Sequence, residues 1–176
     1  MGVSDMQKTV NERLAALLEE IGIETKRKIY WEETIESIQI VKTHPNKTDK
    51  DIKDVKVLLV EDQPSNRKTL EVYLKNKVGR IDIAENGKQA VEKFQKEEYD
   101  IILMDLQMPI MGGIEASLRI RKIEEDRGVE RPTPIIAFTA NYYSADKNIS
   151  IEIGMDVYLS KPFQCKTIYE LIQEYV

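Results

Sequence analysis

From Val55 onward the chain repeats one unit: a short apolar run, a polar turn, then an amphipathic stretch of helical length. The runs are Val55–Val60, Ile81–Ala84, Ile101–Met104, Ile135–Phe138 and Val157–Leu159. The stretches that follow them span about Ser65–Lys77, Lys88–Lys96, Gly113–Glu125, Ala145–Ile153 and Lys166–Tyr175. Val57–Val60, Ile101–Met104 and Ile135–Phe138 lack the apolar–polar alternation of a half-solvated strand, so they suit strands buried on both faces. A helix between successive strands makes those strands parallel. The pattern therefore predicts an α/β fold: a doubly wound, five-stranded parallel sheet flanked by five helices.

Residues 1–54 break the pattern. Val10, Leu14, Leu17, Leu18 and Ile21 return at steps of three and four, and Gly22 is placed to end the helix they imply. Trp31, Ile35, Ile38 and Val41 form a second, sparser stripe of helical period. Thr43–Asp51 reads as a linker around Pro45. Two short amphipathic helices need cover for their apolar faces, from the main domain, a second copy of the chain or another protein. The expected organisation is a helical extension and linker over residues 1–54 and one domain over residues 55–176, with a homodimer among the arrangements the extension allows.

Composition narrows the function. The 176 residues carry 26 Lys+Arg against 31 Asp+Glu, a formal charge of -5, which argues against broad electrostatic binding to nucleic acid. A single cysteine, Cys165, excludes an intrachain disulfide or multi-cysteine zinc site, and a single histidine, His44, excludes a site built on two histidines. Apolar runs stay short of the roughly 18 residues a membrane helix needs, and the first residues are too polar for a signal peptide, so a cytoplasmic protein is expected.

In an open parallel sheet, ligands bind outside the carboxyl ends of the strands where strand order reverses. Glu61 and Asp62 follow the first strand of the repeat, Asp105 the third, Thr139 the fourth and Lys161 the fifth. Carboxylates converging there repel one another, and a hard divalent cation such as Mg2+ relieves that repulsion. Lys161 adds a positive charge; Thr139 adds a hydroxyl, and Ala140 a backbone N–H. Metal, ammonium and hydrogen-bond donors together suit the oxygens of a phosphoryl group. Any one of these residues alone is explained as a cap or loop residue; their joint placement is not.

Five segments, in order, resemble a known family. They are Val57–Asn66 (Val-Leu-Leu-Val-Glu-Asp-Gln-Pro-Ser-Asn), Ile101–Met111, Phe138–Asn141, Gly154–Leu159 and Ser160–Phe163. The resemblance is to the response-regulator receiver domain, most of all to the C-terminal receivers of hybrid sensor histidine kinases, and it covers about Asp54–Val176. It implies the flavodoxin-like receiver fold, with a phosphoryl group passing from a partner's phosphohistidine to Asp105 to give an acyl phosphate.

By the same resemblance, Glu61, Asp62, Asp105 and the backbone carbonyl of Gln107 hold Mg2+, with Mn2+ able to substitute. Lys161 pairs with Asp105 and with a phosphoryl oxygen, Thr139 closes on that group, and Tyr158 changes rotamer in response. Pro109, Gly112 and Gly113 shape the loop after Asp105, and Pro162 follows a cis peptide that fixes the approach of Lys161. The implied partner is a histidine kinase or histidine phosphotransfer protein. One departure stands out: Met111-Gly112-Gly113 lacks the Asp usual in the family at position 112, which leaves Gly as a weaker helix cap. Gly87, beside Asn86, is read as a glycine required by turn geometry.

Three other readings compete. A pseudo-receiver scaffold needs lost acidic or lysine positions, yet Asp62, Asp105, Thr139 and Lys161 are all present. A haloacid-dehalogenase-type phosphatase needs a second Asp where Gln107 stands. Flavodoxin-like FMN binding needs a hydroxyl- and glycine-rich loop where Glu61-Asp62 stands. No Gly-rich nucleotide motif of a kinase occurs, so the phosphoryl group comes from elsewhere, and slow autodephosphorylation is the only catalysis expected beyond the transfer itself. The chain closes after the last helix with no DNA-binding module, so output through protein contacts is expected. Either the chain is a stand-alone regulator or it is the cytoplasmic receiver of a larger, membrane-bound kinase.

Overall fold

The computed structural model describes residues 38–40, 50–140 and 153–176. Its strands are β1 (Ile38–Ile40), β2 (Lys56–Val60), β3 (Arg80–Ala84), β4 (Ile101–Asp105), β5 (Ile135–Thr139) and β6 (Val157–Ser160). Its helices are α1 (Pro64–Leu74), α2 (Gly87–Lys96), α3 (Gly113–Asp126) and α4 (Cys165–Tyr175). The sheet order is β1-β6-β5-β4-β2-β3, with β2 to β6 parallel. The expected parallel sheet is thus present. Of the helix expected over Ala145–Ile153, residues 145–152 lie outside the described residues, and Ile153 itself sits in a turn.

Period-two alternation sorts the strand residues into two cores. Leu58, Val60, Ile102, Met104, Ile135, Ala137 and Tyr158 face α2 and α3, where Ala90, Phe94, Ala116 and Ile120 meet them. Val57, Leu59, Ile101, Leu103, Ile136, Phe138, Val157 and Leu159 face α1 and α4, against Leu70, Leu74, Ile168, Leu171 and Ile172. Because both faces are covered, the central strands have no polar side to show. Each fully buried Leu or Ile stabilises the fold by about 1.5–3 kcal/mol relative to exposure.

Helix boundaries follow local chemistry. Pro64 opens α1, where its missing N–H costs nothing. Asn86 caps α2, its Oδ1 accepting from Gln89 N at 3.0 Å, while Gln89 Oε1 accepts from Glu85 N at 2.9 Å. Gly87 has an ordinary backbone conformation, so turn geometry is not what requires it. A Cβ there would lie 2.7 Å from Met111 O and 2.8 Å from Ala116 Cβ, so the glycine permits close approach of α2 to the loop and start of α3. At the other end of α3 the part-buried Arg121–Glu124 pair (2.6 Å) ties the helix to its neighbours. Glu124 Oε1 accepts from Thr133 N at 2.6 Å, and Arg121 donates to Gly154 O at 2.9 Å.

The extension corrects one expectation. The stripe that includes Ile38 was predicted to be helical, yet Ile38–Ile40 is a strand antiparallel to β6, with Ile38 opposite Leu159 and Ile40 opposite Val157. Two residues of β-branched type alternate with Gln39, a period-two pattern, and the open edge of β6 supplies the backbone partner that a short isolated helix lacks. The helix expected from Val10 to Ile21, and Trp31, Ile35 and Val41 of the second stripe, lie outside the described residues. At the entry to the domain, Lys50 pairs with Asp100 at 2.7 Å, and Ile52 packs on the α1–α4 core.

Candidate functional site

Parallel register delivers the strand ends to one edge. Val60 is level with Met104, Asp105 with Phe138, and Thr139 with Ser160. The ladders run one residue further: Glu61 N donates to Ala84 O at 3.1 Å, Leu106 N to Phe138 O at 2.9 Å and Lys161 N to Thr139 O at 2.7 Å. Strand order reverses between β2 and β4, because β3 lies on one side of β2 while β4, β5 and β6 lie on the other. Glu61, Asp62 and Asp105 stand at that reversal.

Ligand atoms of these three carboxylates all lie within 4.8 Å of one another. Glu61 and Asp105 are buried, and Asp62 is half-buried. Lys161 bridges the two buried groups, its Nζ 2.7 Å from Glu61 Oε2 and 2.6 Å from Asp105 Oδ2. Burial alone would lower the pKa of this ammonium. The hydrogen bonds to Asp105 and Glu61, together with their charges, outweigh burial and raise it above the ordinary lysine value. Packing of Phe163 on Phe138, with ring centroids 4.7 Å apart, holds the segment after Lys161 against the sheet. The Lys161–Pro162 peptide is cis.

The oxygens differ in how fully they are engaged. Glu61 Oε1 accepts from Gln63 N and Asn66 Nδ2, both at 3.2 Å, and Oε2 is taken by Lys161. Asp105 Oδ1 accepts from Gln107 N at 3.0 Å. Asp62 accepts only from Gln63 Nε2, at 3.3 Å, among the described residues. A trio of carboxylates with no nitrogen or sulfur donor suits a hard cation of the Mg2+ type, and Asp62 is the member most open to it.

The other expected residues are placed as follows. Thr139 is buried at the end of β5, and Ala140 is exposed just beyond it. Tyr158 is buried in β6, level with Ala137 of β5 and Gln39 of β1. Gln107 and Pro109 are exposed in the loop after Asp105. In that loop Met111 N donates to Pro109 O at 2.8 Å, and exposed Ile110 has a φ of 72°. Gly112 is the N-cap of α3 in extended conformation, where a Cβ would lie 3.2 Å from the backbone oxygen of Leu106, a tight contact. Gly113 is different: a Cβ there would collide with the backbone oxygen of Asp105.

Sequence reasoning missed the residues that hold the acidic loop. Besides Gln63 and Asn66, Arg67 donates through Nη1 to Glu61 O (3.1 Å) and Asp62 O (3.3 Å), and its Nη2 pairs with Glu85 at 2.9 Å. One signal could have found it: a cation near a helix N-terminus opposes the helix dipole.

Comparison with known proteins decides the family. A family profile described as the response regulator receiver domain matches residues 57–173. The chain belongs to the response-regulator receiver family. Among curated relatives, this receiver is 42% identical over 122 residues to hybrid signal transduction histidine kinase I of Dictyostelium discoideum, covering 66% of this chain and 7% of that protein. It is 35% identical over 119 residues to the signal transduction histidine-protein kinase BarA of Shigella flexneri, covering 68% of this chain and 12% of that protein. The receiver thus spans only a small part of the relatives it matches.

Solved structures agree on the receiver fold. The receiver domain of Saccharomyces cerevisiae Ssk1, co-crystallised with the histidine phosphotransfer protein Ypd1, superposes with a TM-score of 0.65 at 32% identity, covering 69% of this chain and 88% of that one. A sensor histidine kinase receiver from Pseudomonas aeruginosa, with magnesium coordinated in its active-site cleft, gives 0.61 at 35% identity, covering 69% of this chain and 97% of that one. Among the described residues of this receiver, no helix is long and apolar enough to cross a membrane.

Proposed function

We propose that residues 55–176 form a phosphoacceptor in a two-component phosphorelay, with Asp105 taking the phosphoryl group from a phosphohistidine on a histidine kinase or histidine phosphotransfer protein. The observation that carries this reading is the Lys161 ammonium lying 2.7 Å from Glu61 and 2.6 Å from Asp105, within a trio of carboxylates gathered inside 4.8 Å. The co-crystallised yeast receiver supports the class of partner, and the magnesium-bound Pseudomonas receiver supports the class of cation.

In the transfer, a carboxylate oxygen of Asp105 forms a bond to phosphorus as the partner's N–P bond breaks. The electron pair of that bond returns to the imidazole nitrogen. Glu61, Asp62, Asp105 and the Gln107 carbonyl would hold Mg2+, which when bound would supply positive charge to the phosphoryl oxygens. Lys161 supplies more, and its ammonium orients the carboxylate of Asp105 before attack. The Thr139 hydroxyl and the Ala140 N–H hold the transferred group. Thr139 and Tyr158 lie on adjacent strands, so a shift of one is felt by the other, and the output is a change in protein contacts across β5, β6 and α4. Residues 1–54 are the junction or contact element that precedes the receiver, and the module works on the cytoplasmic side.

Intact-mass measurement and site mapping after incubation with acetyl phosphate and Mg2+ test this reading. One phosphoryl group on Asp105, absent from Asp105→Asn and lost on chelation, is the expected result. Label on another residue, or label that persists in Asp105→Asn, overturns it.

A further inference from the structure

We propose that Arg67, which the transfer scheme does not use, is a positioning residue that fixes the backbone of Asp62 for divalent-cation binding; this rests on reading Glu61, Asp62 and Asp105 as the cation site. The two carbonyls that accept from Arg67 Nη1, Glu61 O and Asp62 O, belong to the peptide planes on either side of the Asp62 Cα. Holding both planes sets the φ and ψ of Asp62 and so the direction of its Cα–Cβ bond. The other arm of the guanidinium, Nη2, is anchored on Glu85 in the loop before α2, so the clamp is braced against β3.

Asp62 needs such help. Glu61 is gripped by three donors, whereas the carboxylate of Asp62 is held by one side-chain amide at 3.3 Å among the described residues. Its aim therefore comes from the main chain. The ends of the loop are already tied, by Glu61 N to Ala84 O at 3.1 Å and Arg67 N to Gln63 O at 3.0 Å. Arg67 holds the carbonyls between those ties. Its side chain is only 17% exposed, and it places a cation in the first turns of α1 against the helix dipole, so helix stability does not account for it. A planar fork that spans several acceptors suits arginine and not lysine.

Charge and positioning predict opposite signs. Arg67→Met removes a positive charge beside three carboxylates, which by itself would tighten Mg2+ binding. Loss of an outer support that orients a ligand instead weakens binding, by about 10–100-fold. Calorimetric titration of the full chain with magnesium chloride, backed by the Mg2+-dependent rise in melting temperature, reads the difference. The expected result is an affinity at least about tenfold weaker for Arg67→Met. Arg67→Lys, which keeps the charge but not the fork, is weakened in the same direction. The Mg2+ concentration for half-maximal phosphorylation rises with it, while the rate at saturating Mg2+ stays near wild type. Unchanged or tighter binding in Arg67→Met overturns the inference, as does full wild-type affinity in Arg67→Lys; should Arg67→Met fail to fold, Arg67→Lys decides alone. A wild-type chain that binds no Mg2+ overturns the cation-site reading itself, and the inference with it.

Discussion

Replacing Lys161 by Met removes the one cation that, among the described residues, touches both buried carboxylates, while keeping most of the side chain's volume. The side chains of Glu61 and Asp105 are 0% and 5% exposed, so neither can recover full hydration in place. At the 4.8 Å outer limit of their spacing, two unit charges repel by about 3.5 kcal/mol at an effective dielectric constant of 20. Breaking a buried ion pair by deleting one partner costs about 3–5 kcal/mol in general, in line with that figure. The expected loss for Lys161→Met is therefore about 3–4 kcal/mol at pH 7.5 without divalent cation, read from urea unfolding with the slope held common.

Two dependences identify the cause. In the variant the two carboxylates face each other without a bridging cation, so the deficit shrinks as pH falls toward the carboxylate range and their repulsion is relieved. Millimolar Mg2+ shrinks it at neutral pH as well. In the wild type the raised Lys161 pKa works in the other direction. Its stabilising contribution is fully present below the ordinary lysine value of 10.5 and is lost only as pH climbs through the raised folded value. A deficit under about 1 kcal/mol, or one indifferent to both pH and Mg2+, refutes the argument that these carboxylates remain charged, close and desolvated.

The adjacent glycines before α3 should differ in cost. Gly113→Ala pushes a Cβ into the Asp105 carbonyl and is expected to cost about 1–3 kcal/mol, whereas Gly112→Asp sets a capping side chain against a 3.2 Å contact of its Cβ with Leu106 O and should change stability by less than about 1 kcal/mol, both read by chemical denaturation. Glu124→Ala leaves the Thr133 N–H without its acceptor, while Arg121 keeps Gly154 O, Thr133 O and Asp156, and should cost about 1–3 kcal/mol; a loss below about 0.5 kcal/mol would mean the bond to Thr133 is dispensable. Placing Pro at both Gln39 and Ile40 removes one N–H from each edge of β1, so one of the two must be a ladder donor. Amide exchange over Val157–Leu159 should then accelerate, and unchanged protection would show that β1 does not seal the edge of β6.

The architecture was written in periodicity. Unbroken apolar runs such as Ile101–Met104 belong to strands covered on both sides, and the helical stretches between them force those strands to be parallel, so the sheet followed from local pattern alone. The positions of Glu61, Asp62, Asp105, Thr139 and Lys161 after successive strands followed as well, because parallel strands in register end at one edge. Tertiary structure decided what those residues do to one another. Which carboxylate Lys161 would grip, that Glu61 would be saturated while Asp62 stayed open, and that Arg67 would reach back around Asp62 all depend on distances across elements far apart in sequence. Gly87 and Gly113 looked alike as loop glycines, yet their need is set by neighbours that approach from other segments. Ile38–Ile40 makes the same point: a three-residue segment has too little pattern of its own to fix its conformation, and the free edge of β6 chose strand for it.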